Sequence, residues 1–261
     1  MRQHHVIIDR DKCVGCSRCA SVCVAHNIVI KNKKAETVLD GCLMCGQCSA
    51  VCPKKAITVS GYHTDQKEKQ GDIRLDPREV LEVIRFRRSI RRFKQEPVPN
   101  EVIDQILEAG TLTHTAKNMQ DVSFTVLEKE KNRIEQMAVS VFKKIKPIAD
   151  LLSPMARNMK IDDHFFFFNA PVVIVITAKD KTNGILAAQL STFSMRQLTE
   201  ANGLGVLYSG FFTMAANASH KIRKAIKVPK GKRAAMTLVL GYPDIKFLRS
   251  PQRKKTEATY M

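Results

Sequence analysis

The chain has 261 residues, of which 44% are hydrophobic, and carries a formal net charge of +18. This length and apolar content suffice for one larger domain beside a small one. No apolar run reaches the roughly 18 residues of a membrane span, and the first residues lack the apolar segment of a secretory signal, so we expect neither a membrane protein nor a secreted one.

All eight cysteines lie in two runs near the N-terminus, at residues 13–23 and 42–52, and both runs have the spacing C-x2-C-x2-C-x3-C. This is the cluster-binding run of bacterial-type ferredoxins, in which three cysteines hold one cluster and the fourth reaches the other. We therefore predict two [4Fe–4S] clusters with crossed ligands. Cluster site one comprises Cys13, Cys16, Cys19 and Cys52, and cluster site two comprises Cys42, Cys45, Cys48 and Cys23.

Two other uses of cysteine compete with this interpretation. Structural zinc favours well-separated C-x2-C pairs, whereas a third and a fourth cysteine follow each pair here. A disulfide scaffold needs an oxidising compartment. The thiols instead indicate a reducing, cytoplasmic location. The first run departs from the usual pattern at Val24, where proline is common, while the second keeps Pro53.

The first sixty residues form an internal duplication. Short strands are predicted at residues 6–8, 28–30, 35–39 and 56–59, around the two cysteine runs. Residues 61–71 are polar and without periodicity, which is typical of a linker. We predict a ferredoxin domain over residues 1–60, a linker over 61–77 and a second domain over 78–261.

The second domain mixes helices and strands without strict alternation. Asp76 and Pro77 predict the start of a helix. A second helix follows residue 99, with Gly110 as its stop signal. Strands are predicted at residues 122–127, 171–177, 206–208 and 235–240. Further helices are predicted at residues 131–145, 184–201 and 218–226, with Pro147 and Pro154 interrupting the chain after the first of these. This pattern favours an α+β layered fold, ending in a basic extended tail.

Five stretches of the second domain resemble the FMN-dependent nitroreductase family. They are Arg87-Arg88-Ser89-Ile90-Arg91-Arg92-Phe93, the loop Thr115 to Gln120, Asn169-Ala170-Pro171, Gly203-Leu204-Gly205 with Ser209-Gly210-Phe211, and Leu240-Gly241-Tyr242-Pro243. Joined to a two-cluster unit, the chain is similar to ferredoxin–nitroreductase fusion proteins. The resemblance implies a three-layer α/β/α domain that binds FMN.

The resemblance also implies which residues bind the cofactor. Arginines and a serine suit the dianionic FMN phosphate, and alternate residues of an extended segment point to one side. Asn118 matches the family residue at the polar edge of the flavin ring, and the amides of Ser209 and Gly210 would face N5 and O4. The full implied set is Arg87, Arg88, Ser89, Arg91, Asn118, Ser209, Gly210, Arg253 and Lys254.

No catalytic side chain is predicted, because the flavin itself carries the chemistry; Tyr208 and Phe211 are candidate pocket residues. Met119 stands where a polar residue is frequent in such fusions. The expected function is an oxidoreductase that relays electrons through the two clusters to FMN, which reduces a nitroaromatic, quinone or activated alkene. The alternative is an electron-transfer protein that passes charge to a partner without substrate chemistry.

The expected partners follow from the charge and from the resemblance. A basic surface suits an acidic electron donor such as ferredoxin or flavodoxin, and NAD(P)H is the other expected donor. The family implies a homodimer with the flavin at the subunit interface. No nucleic-acid partner is expected, because no helix-turn-helix or aromatic RNA-binding signature is present.

Overall fold

A computed structural model describes residues 4–62 and 65–261 of the chain. It divides into two compact units, Met1–Arg74 and Leu75–Met261. Each unit has its own hydrophobic core, and the two are described separately below. Among the described residues no helix is long and apolar enough to cross a membrane.

The first unit is built from two strand pairs and two short helices. Strand β1 (Val6–Ile8) pairs with β4 (Ile57–Val59), and β2 (Ile28–Lys31) pairs with β3 (Lys34–Thr37), both antiparallel. Helix α1 (Arg18–Ser21) follows the first cysteine loop and α2 (Gln47–Val51) follows the second. The buried residues include cysteines as well as aliphatic side chains such as Ile28 and Ile57. The predicted duplication is therefore visible in the fold.

Residues 61–74 group with the first unit, although the sequence predicts a linker over 61–77. Their attachment is polar: the Tyr62 hydroxyl donates to the carbonyl of Met44, and Gln66 Nε2 donates to Ser49 Oγ over 2.9 Å. A polar, aperiodic stretch gives no sequence signal for such contacts. The domain boundaries at residues 60 and 77 stay predictions.

The second unit centres on a four-stranded antiparallel sheet in the order β5-β6-β8-β7. Its strands are β5 (Ser123–Leu127), β6 (Val172–Lys179), β7 (Gly205–Tyr208) and β8 (Lys232–Gly241). Its helices are α3 (Pro77–Phe86), α4 (Asn100–Thr111), α5 (Lys131–Leu152), α6 (Pro154–Asn158), α7 (Thr182–Ala201), α8 (Gly210–Ala218) and α9 (His220–Ala225).

Strand alternation divides the core into two halves. Val173 and Val175 face one side of the sheet, where they join residues of α5, α8 and α9. Ile174 and Ile176 face the other side, where they join residues of α4 and α7, including Met195. Because successive side chains of a strand point to opposite faces, the continuous apolar run of β6 is buried between two helical layers. The predicted three-layer α/β/α arrangement is confirmed.

Two predictions of helix ends are wrong. Gly110 does not stop α4, which continues to Thr111; a Cβ there would lie 2.8 Å from side-chain atoms of Met195 and Phe124, so this glycine permits close helix packing. Pro147 does not interrupt the chain after residue 145 but lies inside α5, which extends to Leu152. No predicted element covers the start of α8 (Gly210–Ala218).

The aromatic run at residues 165–168 forms a turn that is held by a buried carboxylate. Glu135 on α5 is 1% exposed and accepts hydrogen bonds from the backbone N–H groups of Phe166 and Phe167 at 2.9 and 2.6 Å. His164 Nδ1 lies 3.6 Å from its other oxygen. Burial raises the pKa of Glu135, although the two N–H groups and His164 favour its charged form.

Candidate cluster and cofactor sites

The structure gathers the cysteines into the two sets that the spacing predicts. One cavity is lined by Cys13, Cys16, Cys19 and Cys52. The other is lined by Cys23, Cys42, Cys45 and Cys48. Each cavity thus receives three cysteines from one run and the fourth from the other run. Their roles as cluster ligands stay predictions.

The two cysteine loops share an unusual backbone. Gly15 and Met44 occupy equivalent positions and have φ of 67° and 53°, and the next equivalent pair, Ser17 and Gly46, have φ of 65° and 70°. Left-handed conformations are costly for non-glycine residues and are retained where surrounding structure holds them. Each run uses one glycine and one other residue for the same two positions. The third cysteine of each run, Cys19 or Cys48, is then buried in the first turn of α1 or α2.

Backbone N–H groups point at the cysteine sulfurs. Ala35 N donates to Cys13 Sγ over 3.4 Å, and Ala56 N donates to Cys52 Sγ over 3.3 Å at cluster site one. Asn27 N donates to Cys23 Sγ over 3.4 Å at cluster site two. Hydrogen bonds to sulfur stabilise the thiolate and tune the potential of a bound cluster.

The free thiols differ in acidity from one cysteine to another. The N–H groups of Ala35 and Gly15 lower the pKa of Cys13, whereas burial raises the pKa of Cys19 at cluster site one and raises the pKa of Cys48 at cluster site two to about 11. Across the described residues, no group of three or more His, Cys, Asp or Glu side chains is placed to bind one metal ion. The four cysteines of each set line one cavity, as expected of the ligands of a cluster.

Asn27 was missed by the sequence reasoning. Its side chain is 3% exposed; Nδ2 donates to the carbonyl of Gly41 over 3.0 Å, and Oδ1 accepts from the N–H of Leu39 over 2.7 Å. These bonds tie the segment after Cys23 to the loop that leads into Cys42. The only available signal was a polar residue directly before the apolar strand β2.

In the second unit, the segment at residues 87–91 lies along the free edge of β7. Ser89 forms a parallel bridge with Val206, and Ile90 N donates to the carbonyl of Val206 over 3.0 Å. Ile90 is buried against Gly205, where a Cβ would lie 2.5 Å from its side chain. By alternation, Arg87, Ser89 and Arg91 then share the opposite face of this segment.

Arg88 lies on the same face of the segment as Ile90. Its guanidinium lies 5.3 Å from the centre of the Phe247 ring, and Nη2 donates to the carbonyl of Arg249 over 3.1 Å. The structure therefore places Arg88 with the C-terminal tail and away from Arg87, Ser89 and Arg91. Arg253 and Lys254 are exposed further along this tail, which has no helix or strand.

Ser209 and Gly210 follow directly after β7. Ser209 is buried, its N–H donates to the carbonyl of Thr237 over 2.9 Å, and Gly210 is the first residue of α8. Apart from its chain neighbours and the backbone of its own helix, no described atom lies within 4 Å of the position that a Cβ of Gly210 would take. There is therefore open space beside this backbone.

The two candidate pocket residues have different neighbours. Phe211 is 42% exposed and stacks on Phe165 with ring centres 5.9 Å apart. Tyr208 is 40% exposed and lies beside Arg196; burial raises the pKa of its hydroxyl. Both side chains border the start of α8.

Arg196 and Glu200 form a buried pair that the sequence reasoning missed. Nε of Arg196 donates to Glu200 Oε2 over 3.2 Å. Nη2 lies 3.2 Å from the same oxygen but is not aimed at it, and it is buried with no hydrogen-bond partner among the described residues. Burial raises the pKa of Glu200, although the nearby charges of Arg196 and Arg87 lower it. The sequence signal for this ion pair was an arginine and a glutamate four residues apart in a helix rich in small residues.

Asn118 lies elsewhere in the second unit, in a 3-10 turn at Ala116–Asn118 that precedes β5. Lys117, Asn118 and Gln120 all have left-handed φ, between 44° and 52°. Such strain in non-glycine residues clusters at functional sites. The turn is held in part by the hydrogen bond from Gln120 N to Thr115 Oγ1, over 3.0 Å.

Helix α7 separates Asn118 from the arginine-bearing segment. The start of β5 and the end of β7 lie at opposite edges of the sheet, about 14 Å apart at a strand spacing of about 4.8 Å. Thr113, before the 3-10 turn, donates to Ser194 on one side of α7 over 2.9 Å, whereas Arg196 meets Tyr208 on the other side. Helix residues two positions apart do not share a face. The structure thus does not bring Asn118 together with Ser209 and Gly210 in one chain.

Comparison with known proteins gives two family matches. Residues 84–242 match the nitroreductase family, and residues 5–69 match the 4Fe-4S dicluster domain. A putative NADH dehydrogenase/NAD(P)H nitroreductase of Methanothermobacter thermautotrophicus is 27% identical over 177 residues, which cover 66% of this chain and 81% of that protein.

Solved structures share the fold. A nitroreductase with bound FMN from Desulfitobacterium hafniense aligns with a TM-score of 0.60 and 19% identity, over 70% of this chain and 98% of that one. An FMN-dependent nitroreductase from Clostridium difficile aligns with a TM-score of 0.58 and 17% identity, over 71% of this chain and all of that one.

Proposed function

Because the chain belongs to the nitroreductase family and carries a 4Fe-4S dicluster domain ahead of the family's fold, we propose that it relays electrons through two [4Fe–4S] clusters to FMN. The reduced flavin would serve a small organic acceptor of the nitroaromatic, quinone or activated alkene type. The eight thiols require a reducing compartment such as the cytoplasm.

The observation that carries this proposal is the pair of cysteine-lined cavities. Cluster site one and cluster site two each hold four cysteines, three from one run and one from the other. The crossed arrangement is the one expected of two neighbouring clusters. In the proposal, the backbone N–H groups of Ala35, Ala56 and Asn27 stabilise the negative charge that accompanies cluster reduction.

For the FMN phosphate, we propose Arg87, Ser89 and Arg91 as the binding group. The supporting observation is their shared face on the segment beside β7, from which Arg88 is turned away. Charge-assisted hydrogen bonds from guanidinium groups suit a phosphate dianion. Arg253 and Lys254 in the tail remain further proposed phosphate contacts.

For the flavin ring, we propose the backbone amide of Gly210, beside the open space there. The amide of Ser209, the other expected contact, already donates to the carbonyl of Thr237 and is not proposed as a donor to the ring. Bound FMN would supply two-electron storage and hydride transfer to the acceptor. Tyr208 and Phe211 would shape the acceptor's side of this space.

The position of Asn118 supports a homodimer. Within one chain α7 lies between Asn118 and the residues after β7, so the proposed flavin contacts do not form one site. In the proposal, Asn118 of each copy completes the site of the other copy. A C2 interface allows this exchange, since each surface is used by both copies.

The electron donor is proposed as an acidic carrier such as ferredoxin or flavodoxin, with NAD(P)H as the other donor to be tested. The test is an anaerobic iron and flavin count, followed by separate reduction with ferredoxin and with NAD(P)H. About eight irons and one FMN per chain, with the flavin reduced by ferredoxin, support the relay. Iron without flavin, or flavin that the clusters cannot reduce, would refute it and favour an electron-transfer protein.

A further inference from the structure

The two cluster sites differ in the charge around them. Arg18 and Lys54 line cluster site one, and Lys34 Nζ donates to the carbonyls of Arg10 and Cys13 at 2.8 and 2.6 Å. Among the described residues, none that lines cluster site two is charged, and Asp40 is the one charged residue within 38–48. The charged residues that line a cluster cavity are therefore basic and belong to cluster site one.

Part of this positive charge is already neutralised within the chain. Arg10 pairs with Glu36 at 2.7 Å and Lys12 pairs with Asp9 at 2.9 Å. In the described structure Arg18, Lys33 and Lys54 have no ion-pair partner, and all three are exposed. The backbone of Lys33 lies against Gly15 of the first cysteine loop. We call Arg18, Lys33 and Lys54 the basic rim of cluster site one.

The rim of cluster site two is apolar, and the second cysteine loop is contacted by residues that follow β4. Val24 is 65% exposed, and Leu43 also lines the cavity and is exposed. Tyr62 and Gln66, which follow β4, donate hydrogen bonds to Met44 and Ser49 on the second cysteine loop and its helix. Part of the surface of this loop is therefore covered by other residues of the first unit.

From this asymmetry we propose that the basic rim of cluster site one is the docking surface for a small acidic one-electron carrier protein, so that electrons enter at that cluster. The inference rests on the proposed function, since it requires both clusters to be present. A loaded site is anionic because of its four thiolates. An acidic carrier would be repelled at cluster site two, where no lining cation offsets that charge. At cluster site one the rim offsets it and steers the carrier.

The step is a single electron transfer. The fully reduced flavodoxin loses one electron and the oxidised cluster gains it, so no further reactant is needed. Reduced flavodoxin is the useful probe, because it is acidic and its absorbance changes when it loses one electron. Oxidised flavodoxin serves to measure binding alone.

The test variant replaces the basic rim by neutral side chains of similar shape, Arg18→Gln, Lys33→Gln and Lys54→Gln. At about 10 mM ionic strength the second-order rate constant of flavodoxin oxidation should fall about tenfold or more, because steering raises association rates by at least about that factor. Calorimetry with oxidised flavodoxin should show a matching loss of affinity. At about 150 mM, where the Debye length is about 8 Å, the difference should shrink.

A matched control removes the same charge from exposed positions of the second unit, Lys221→Gln, Lys224→Gln and Lys230→Gln. It lowers the net charge of the protein as much as the rim variant does but leaves the basic rim in place, so its rates and affinity should fall less than those of the rim variant. Equal losses in both variants, or none in either, would overturn the docking surface. Unchanged flavodoxin rates with lost binding of single-stranded DNA would assign the rim to nucleic acid and also overturn it.

Iron content and the EPR spectrum of the chemically reduced protein distinguish failure of the proposed function from failure of the docking surface alone. Absence of clusters from the parent protein would refute the proposed function. The clusters could instead be present and reducible by dithionite, with a rate of reduction by flavodoxin that is the same in the parent and the rim variant. That result would refute only the docking surface.

Discussion

Asn27→Ala should weaken cluster site two while leaving cluster site one intact. The side chain makes two good hydrogen bonds to the loop before Cys42, with Gly41 at 3.0 Å and Leu39 at 2.7 Å. At about 0.5–1.5 kcal/mol each, their loss costs about 1–3 kcal/mol. The loop would then leave its ligand-ready conformation about 5- to 150-fold more often.

The internal duplication shows that Asn27→Ala should remove only side-chain hydrogen bonds. Ala56 stands at the equivalent position of the second half, where its N–H donates to Cys52 Sγ as that of Asn27 donates to Cys23 Sγ. Alanine therefore suits the backbone at this position. The N–H to sulfur bond remains, and only the side-chain bonds are lost.

The assay is anaerobic iron release to a ferrous chelator, with EPR of the cluster that remains. Half of the iron should leave about ten- to a hundredfold faster than in the parent, because release follows the population of the open state. Glu36→Ala is the control: it removes a surface ion pair near cluster site one, worth at most about 1 kcal/mol. Equal acceleration of all the iron, or unchanged release, would refute the role of Asn27.

Three further predictions concern other parts of the chain. Cys52→Ser should remove the cluster at site one and spare the other, so EPR that shows loss at site two would refute the crossed ligands. Arg87→Ala with Arg91→Ala should weaken FMN binding at least about a hundredfold with iron unchanged, whereas Arg88→Ala should retain FMN by fluorescence titration; equal losses would contradict the assigned faces. Glu135 has a raised pKa, so its stabilising contribution is full below its ordinary value of 4.5 and is lost as pH rises through the raised value. We therefore expect the free energy of unfolding in urea to rise for Glu135→Gln relative to the parent between about pH 4 and about pH 7. A difference in unfolding free energy that does not change with pH would contradict this.

Much of the fold could be predicted from local patterns. Asp76 and Pro77 mark the start of α3, where the Asp76 side chain accepts from Arg78 N over 2.8 Å. The apolar run that predicted a buried strand is β6, the strand whose side chains fill both halves of the core. These signals are local because capping and strand alternation act within a few residues.

Other features depend on contacts that are distant in sequence. Glycine is common at helix ends, so Gly110 was predicted to end α4. Its position inside the helix is explained by the close packing of Met195 and Phe124, which leaves no room for a Cβ. Asn27 and Arg196 acquire their roles from residues brought to them by folding. Propensity alone could not distinguish these residues from ordinary turn or surface positions.

The sequence by itself determined the cysteine spacing, and with it the chemistry that the first unit is suited to, because cluster ligation depends on residue type and on short loops. It also placed the arginines and Ser89 at alternate positions. Only the tertiary structure decided that Arg88 faces the tail, that α7 stands between Asn118 and the residues after β7, and that the basic residues lining a cluster cavity belong to cluster site one. These outcomes depend on which elements pack together, and packing joins residues that no local pattern relates.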